Sequence, residues 1–180
     1  MADVVSRGFG LWSNMTALDP AVGARTACTL QERRDRAGCV GIVVGVTEDV
    51  RGSSGAGVVG IGTDLVDVDR FRVVLRRRPS VADRLFTAGE RTYAERATDP
   101  AARLAARFAA KEATLKALGY GLGGMRMADI EVVRASDGRP DLVLHGRARS
   151  TAADHGVGRW LVSLSHTGRL AQATVVALAG

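Results

Sequence analysis

The clearest hydrophobic pattern in the chain is "VVGIGTDLV", residues 58–66, which alternates as a strand requires. Val59, Ile61, Thr63 and Leu65 share one face, and Gly60, Gly62 and Asp64 share the other. The following "DRFRVVLRRR" predicts a short basic helix that stops before Pro79, with Phe71, Val74 and Leu75 as its buried side. Thr87 and Glu90 stand in capping-box spacing, so a helix is expected from about Ala88. Asp99 then Pro100 combines an N-cap with a proline whose missing N–H is harmless at the first position; that helix runs to Gly119. "DIEVVRASDGRPDLVL" predicts a hairpin turning at Asp137 and Gly138. "GRARSTAADHG" predicts a helix ending at Gly156, and "WLVSLSHTGRLAQATVVAL" a second hairpin turning near Gly168. The expected class is α+β, with antiparallel strands packed on one long helix.

Residues 1–57 carry weaker signals. "RTACTLQERRDRAG" suggests a short helix, "CVGIVVGV" a short strand, and "RGSSGAG" a linker. "GIVVGVTEDV" shares four of ten residues with "GVVGIGTDLV", a level that two Gly- and Val-rich runs reach by chance. The expectation is an N-terminal extension over 1–57, poorly ordered or non-native, followed by one domain over 58–180. An apolar share of 46% and a charged share of 24% suit a soluble globular protein. No apolar run is long enough for a membrane span, which argues against a membrane protein. Two cysteines and no leader-like opening point to reduced thiols and a cytoplasmic location.

Charge sharpens this picture. Residues 1–57 hold six Arg against six acidic side chains, whereas 58–180 hold 19 basic against 13 acidic, so the whole +6 lies in the second part. A basic domain suggests an anionic partner: nucleic acid, a phosphorylated small molecule or an acidic protein. The chain uses Lys only twice, at Lys111 and Lys116, on either side of Glu112. At about 100° per residue, Leu104, Phe108, Leu115 and Leu118 form one stripe, with Lys111 in its middle. A charge on a core-facing stripe needs a partner, because desolvating a lone ion costs several kcal/mol. A surface Glu112–Lys116 pair with Lys111 reaching out to water would explain the helix alone. Asp64 adds a second carboxylate on a glycine-bearing strand face, where another backbone or a ligand can approach closely. Two carboxylates with lysines nearby suit a Mg²⁺ that holds a phosphate group. "GIGTD" is not a P-loop, and it lacks the spacing of a dinucleotide fingerprint.

Together, "GIGTDLVDVDRF", "FTAGE", "RFAAKEATLKALG", "SDGRP" and "SLSHT" resemble the holo-[acyl-carrier-protein] synthases, the small single-repeat class of 4'-phosphopantetheinyl transferases. The resemblance covers residues 58–180. It implies the transferase fold, a homotrimer with active sites between subunits, and Mg²⁺-dependent transfer of phosphopantetheine from coenzyme A to a serine of apo acyl carrier protein, a step of fatty acid synthesis, with polyketide synthesis as the wider alternative. By position, Asp64 and Glu112 match the metal ligands. Lys111 and Lys116 fall near the coenzyme A diphosphate, where Lys116 would stabilise charge on the leaving phosphate. Gly119 falls in the same cofactor-binding set. Arg107, His166 and Thr167 match contacts to the nucleotide end, and Asp137, Gly138 and Pro140 match a turn that touches the adenine from a neighbouring subunit. Arg70 matches a carrier-binding arginine; with Arg77 and Arg78 it is expected to face the carrier. Glu112, a water on the metal and His166 all remain candidates for the serine's proton acceptor. His145 and His155 match no motif.

Two rivals stand beside this reading. One is an enzyme acting on another diphosphate ligand through the same carboxylate pair. The other is a basic nucleic-acid module using Arg70, Arg72, Arg76, Arg77 and Arg78, which the scarcity of aromatic stacking platforms disfavours. No nucleic-acid partner is expected.

Overall fold

The computed structural model describes residues 57–180 and two strands nearer the N-terminus, β1 (Cys28–Arg34) and β2 (Val40–Val46). Residues 57–180 contain β3 (Val58–Asp67), α1 (Val68–Arg77), α2 (Ser80–Leu85), α3 (Ala88–Glu95), α4 (Pro100–Ala117), a 3-10 turn at Met127–Asp129, β4 (Ile130–Arg134), β5 (Pro140–Leu144), α5 (Gly146–Asp154), β6 (Val157–His166) and β7 (Leu170–Ala179). Five strands form one antiparallel sheet in the order β1-β2-β3-β7-β6, and β4 pairs with β5 alone. The α+β expectation holds. Where the sequence suggested a short helix over residues 25–38, β1 is a strand instead, because the Val- and Ile-rich β2 offers it a full ladder from Cys28↔Val46 to Arg34↔Val40. β2 then meets β3 through Val43↔Gly62 and Val44↔Ile61. The short strand expected in "CVGIVVGV" is β2; the linker expected over 51–57 lies outside the described residues except for Gly57.

Helix ends follow their local chemistry. Asp67 caps α1 by accepting from the Arg70 amide at 2.8 Å. Thr87 and Glu90 complete the capping box of α3. Asp99 accepts from the Ala101 amide at 3.2 Å, with Pro100 inside the first turn of α4. Gly119 takes a φ of 77° just beyond α4, a conformation that favours glycine. α1 stops at Arg77, before Pro79 as expected, and a separate short helix, α2, begins immediately after the proline, which is its N-cap.

Fifteen of the 18 residues of α4 are buried, so it is the central element rather than a surface helix. Its alanines pack on β3 and on Ala171, Ala173 and Ala177 of β7. The glycines of β3 explain the closeness. A Cβ at Gly60 would stand 2.0 Å from the Ala117 carbonyl oxygen, and one at Gly62 would stand 1.9 Å from that of Ala113. Their face of β3 is therefore buried against a backbone, while Ile61 and Leu65 on the other face are exposed. On α1, Phe71 is buried, stacked on Phe108 at 5.3 Å, but Val74 is 40% exposed, against its expected place in the core.

Candidate functional site

β3 and α4 together build one polar site under the glycine cradle. Asp64 follows Gly62 by two residues and so points to the same buried face, toward α4. Lys116 reaches it from one turn beyond Glu112: its Nζ donates to Asp64 Oδ1 at 2.8 Å and to the Thr63 carbonyl at 3.0 Å. Asp64, Glu112 and Lys116 are each less than 10% exposed. Asp64 and Lys116 thus form a buried ion pair, and Glu112 is buried one helical turn before Lys116. Among the described residues no group of three or more His, Cys, Asp or Glu is placed to hold a metal. The chain offers a pair of carboxylates, which is the protein share that Mg²⁺ takes when water and substrate phosphate complete its shell.

Lys111 has a different place from the one expected for a diphosphate contact. It is fully buried on another side of α4, with its Nζ 2.7 Å from Glu90 Oε2, 2.9 Å from the Met127 carbonyl and 2.5 Å from the Ile130 carbonyl. Those three acceptors use all three ammonium protons, leaving none for a phosphate. Burial pushes the ammonium below the usual lysine range, and Glu90 opposes that shift. Glu90 is equally committed: it accepts from the Thr87 amide at 2.9 Å and the Val132 amide at 3.0 Å. From sequence, Glu90 carried only a capping signal; its ion pair with Lys111 had none.

The other residues singled out by sequence lie around this centre. Arg107, one turn before Lys111, is buried with its guanidinium 4.0 Å from the centre of the Tyr93 ring. Burial lowers its pKa, opposed by Tyr93 and Glu90. Tyr93, which also carries Arg103 at 4.8 Å, had no signal in the sequence. His166 ends β6 and is exposed; it pairs with Ala171, while Asp64 pairs with Ala173, so the two share a sheet face two strands apart, about 10 Å laterally. Within one chain the structure does not bring His166 to the carboxylates. Thr167 is also exposed and accepts from the Arg169 and Leu170 amides, shaping the turn. Asp137, Gly138 and Pro140 form the β4–β5 turn, where Asp137 accepts from the Arg139 amide and Gly138 takes a φ of 87°. That turn faces β6 across a groove lined by Arg139, Pro140, Arg159 and Trp160. Arg70, Arg77 and Arg78 are exposed, whereas Arg72 is tied to Asp69 and to Asp99. His145 sits at the start of α5, 2.9 Å from Glu131, and His155 accompanies the Thr151 carbonyl at 2.8 Å.

Asp64 and Glu112 are thus buried carboxylates, with the Lys116 ammonium on Asp64, where a glycine strand meets an alanine-rich helix. The sequence matches the 4'-phosphopantetheinyl transferase superfamily over residues 60–175. It is 50% identical over 119 residues to a holo-[acyl-carrier-protein] synthase of Syntrophotalea carbinolica, covering 65% of this chain and 93% of that one. It is 50% identical over 120 residues to one from Frankia casuarinae, covering 67% and 97%. A crystal structure of a holo-(acyl-carrier-protein) synthase from Bacillus anthracis in complex with coenzyme A (3',5'-ADP) is similar at a TM-score of 0.57 and 30% identity, over 70% of this chain and all of that one. The chain belongs to the 4'-phosphopantetheinyl transferase superfamily and, within it, to the family of the holo-[acyl-carrier-protein] synthases.

Proposed function

We propose that this protein transfers the 4'-phosphopantetheine group of coenzyme A to a serine hydroxyl of apo acyl carrier protein, releasing adenosine 3',5'-bisphosphate. The observation that carries the reading is the contact of Lys116 with Asp64 on the buried face that Glu112 shares. A diphosphate needs its charge neutralised where the P–O bond breaks, and this arrangement supplies carboxylates for a cation and an ammonium for the phosphate. Asp64 and Glu112 would hold Mg²⁺, which when bound neutralises the diphosphate and orients it. Lys116 would turn from Asp64 toward the leaving phosphate. The coenzyme A site draws further on Arg107, Gly119, His166, Thr167 and the turn at Asp137, Gly138 and Pro140.

The serine proton has two acceptors in this chain, Glu112 and His166. Replacing each with a non-ionising residue and recording the pH dependence of kcat separates them, since only the base variant loses the ascending limb.

The wide spread of these groups supports a site shared between subunits of a homotrimer. The sheet face away from α4 supports it too, because Ile61, Leu65, Leu161 and Leu170 lie there at 37%, 52%, 50% and 43% exposure. For the carrier, Arg70, Val74, Arg77 and Arg78 follow helical spacing along one exposed side of α1, an apolar centre among positive charges that suits an acidic helical partner. We place the transferase unit in residues 58–180, with 1–57 supplying no catalytic group. A cytoplasmic location fits a chain in which no helix among the described residues is long and apolar enough to cross a membrane. The test is mass spectrometry of apo acyl carrier protein incubated with coenzyme A, Mg²⁺ and the enzyme. The expected product is heavier by one phosphopantetheine; an unchanged carrier mass rejects the proposal.

A further inference from the structure

We infer that the buried Glu90–Lys111 pair is a positioning device that sets the aim of Glu112, and that Lys111 touches neither substrate. The inference rests on the transferase reading of the same site. Lys111 and Glu112 are consecutive on α4, so their side chains leave the helix about 100° apart. Lys111 points toward α3 and β4, whereas Lys116, one turn beyond Glu112, reaches Asp64. Whatever fixes the rotation of α4 at Lys111 therefore fixes the direction of Glu112 and, five residues on, of Lys116.

The fixing contacts are directional. The Lys111 ammonium is completely enclosed and meets Glu90 and the carbonyls of Met127 and Ile130 within 2.5 to 2.9 Å. Glu90 in turn holds the Thr87 amide at the start of α3 and the Val132 amide in β4. One ion pair thus joins α3, α4, the turn at Met127–Asp129 and β4. It also anchors the far end of residues 119–126, a segment with glycines at 119, 121, 123 and 124. An apolar pair of the same volume would fill this space as well or better, because buried ion pairs contribute little net stability. What an apolar pair lacks is a preferred rotation, and that is what an acid at position 112 requires.

The decisive variant is the double substitution K111M/E90Q in the full chain, which removes the charge while keeping both stems. The expected result is a folded protein with kcat lowered at least 10-fold, KM for coenzyme A within about threefold of wild type, and weaker Mn²⁺ binding by electron paramagnetic resonance without substrates. E90D, which keeps the charge and shortens the stem so that the ion pair survives with altered geometry, should lower kcat in the same direction with the same unchanged KM, and it decides the question if the double variant does not fold. Wild-type kcat in folded K111M/E90Q, or in E90D where that is the readable variant, would make the pair a packing element and overturn the inference. A raised KM for coenzyme A with kcat retained would overturn it in favour of a diphosphate contact. Loss of the transferase reading itself would look different: the wild-type enzyme would leave the carrier unmodified.

Discussion

Two ammonium–carboxylate pairs sit on the same helix, five residues apart, and they do opposite things. Lys111 and Glu90 are sealed, with side-chain exposures of 0% and 1%, and backbone groups complete the hydrogen bonding of both. Lys116 and Asp64 lie at 10% and 5%, with the Thr63 carbonyl as the second acceptor of the ammonium. The first pair has nothing left to give a ligand. In the proposed reaction the second would exchange its contact for a cation on the carboxylate and a phosphate on the ammonium. The difference lies in the surroundings of the charges, since the residue types are nearly the same. A lysine becomes structural when carbonyls claim its remaining protons, and functional when a neighbouring site can still claim them.

The largest effect should come from the open side. Asp64→Ala and Glu112→Ala should each lower transfer by about 10³-fold or more, with folding retained by circular dichroism, because the diphosphate loses its counter-ion. Ordinary activity in either variant at millimolar Mg²⁺ removes that residue from the ligand set. Next, the two lysines should separate stability from catalysis. Lys111→Met should cost about 3–5 kcal/mol in urea unfolding, because it leaves the Glu90 carboxylate buried and unpaired. Lys116→Met should cost about 1.5–3 kcal/mol while slowing transfer about 10²-fold. If Lys116→Met proves the less stable of the two, the sealed and open pairs have been told apart wrongly.

The spacing between α4 and β3 offers a finer probe. Gly62→Ala brings a methyl group against the Ala113 carbonyl, so the helix must retreat on the side that carries the open pair. A loss of about 1–3 kcal/mol is expected, with the metal requirement of transfer shifted to higher concentration. An unchanged Mg²⁺ titration would mean that the carboxylates do not depend on the cradle. The smallest change concerns α1, outside both pairs. Arg70→Glu with Arg77→Glu should raise KM for the carrier roughly 10-fold, leave coenzyme A binding alone and flatten the salt dependence of kcat/KM, because such charges act over a screening length of about 8 Å. Lost coenzyme A binding with the salt dependence intact would assign those arginines to the nucleotide site instead.

Local chemistry determined most of what could be known from the sequence. Alternation located β3 and put Asp64 on the glycine face; a capping box, an Asp-Pro step and Gly119 set the limits of α3 and α4; turn residues located both hairpins. Each of these signals acts over a few residues, and so does the i,i+4 relation that put Glu112 and Lys116 on one side of α4. Tertiary structure alone decided which lysine met which carboxylate, because Lys111 and Glu90 are 21 residues apart and Lys116 and Asp64 are 52 apart. Those partners follow from the rotation of α4 against the sheet, and the missing Cβ atoms of Gly60 and Gly62 set that packing. The same limit hid β1, whose own sequence suggested a helix: its ladder comes from a neighbouring strand, and hydrogen bonds supplied by a partner leave no pattern in the residues that accept them.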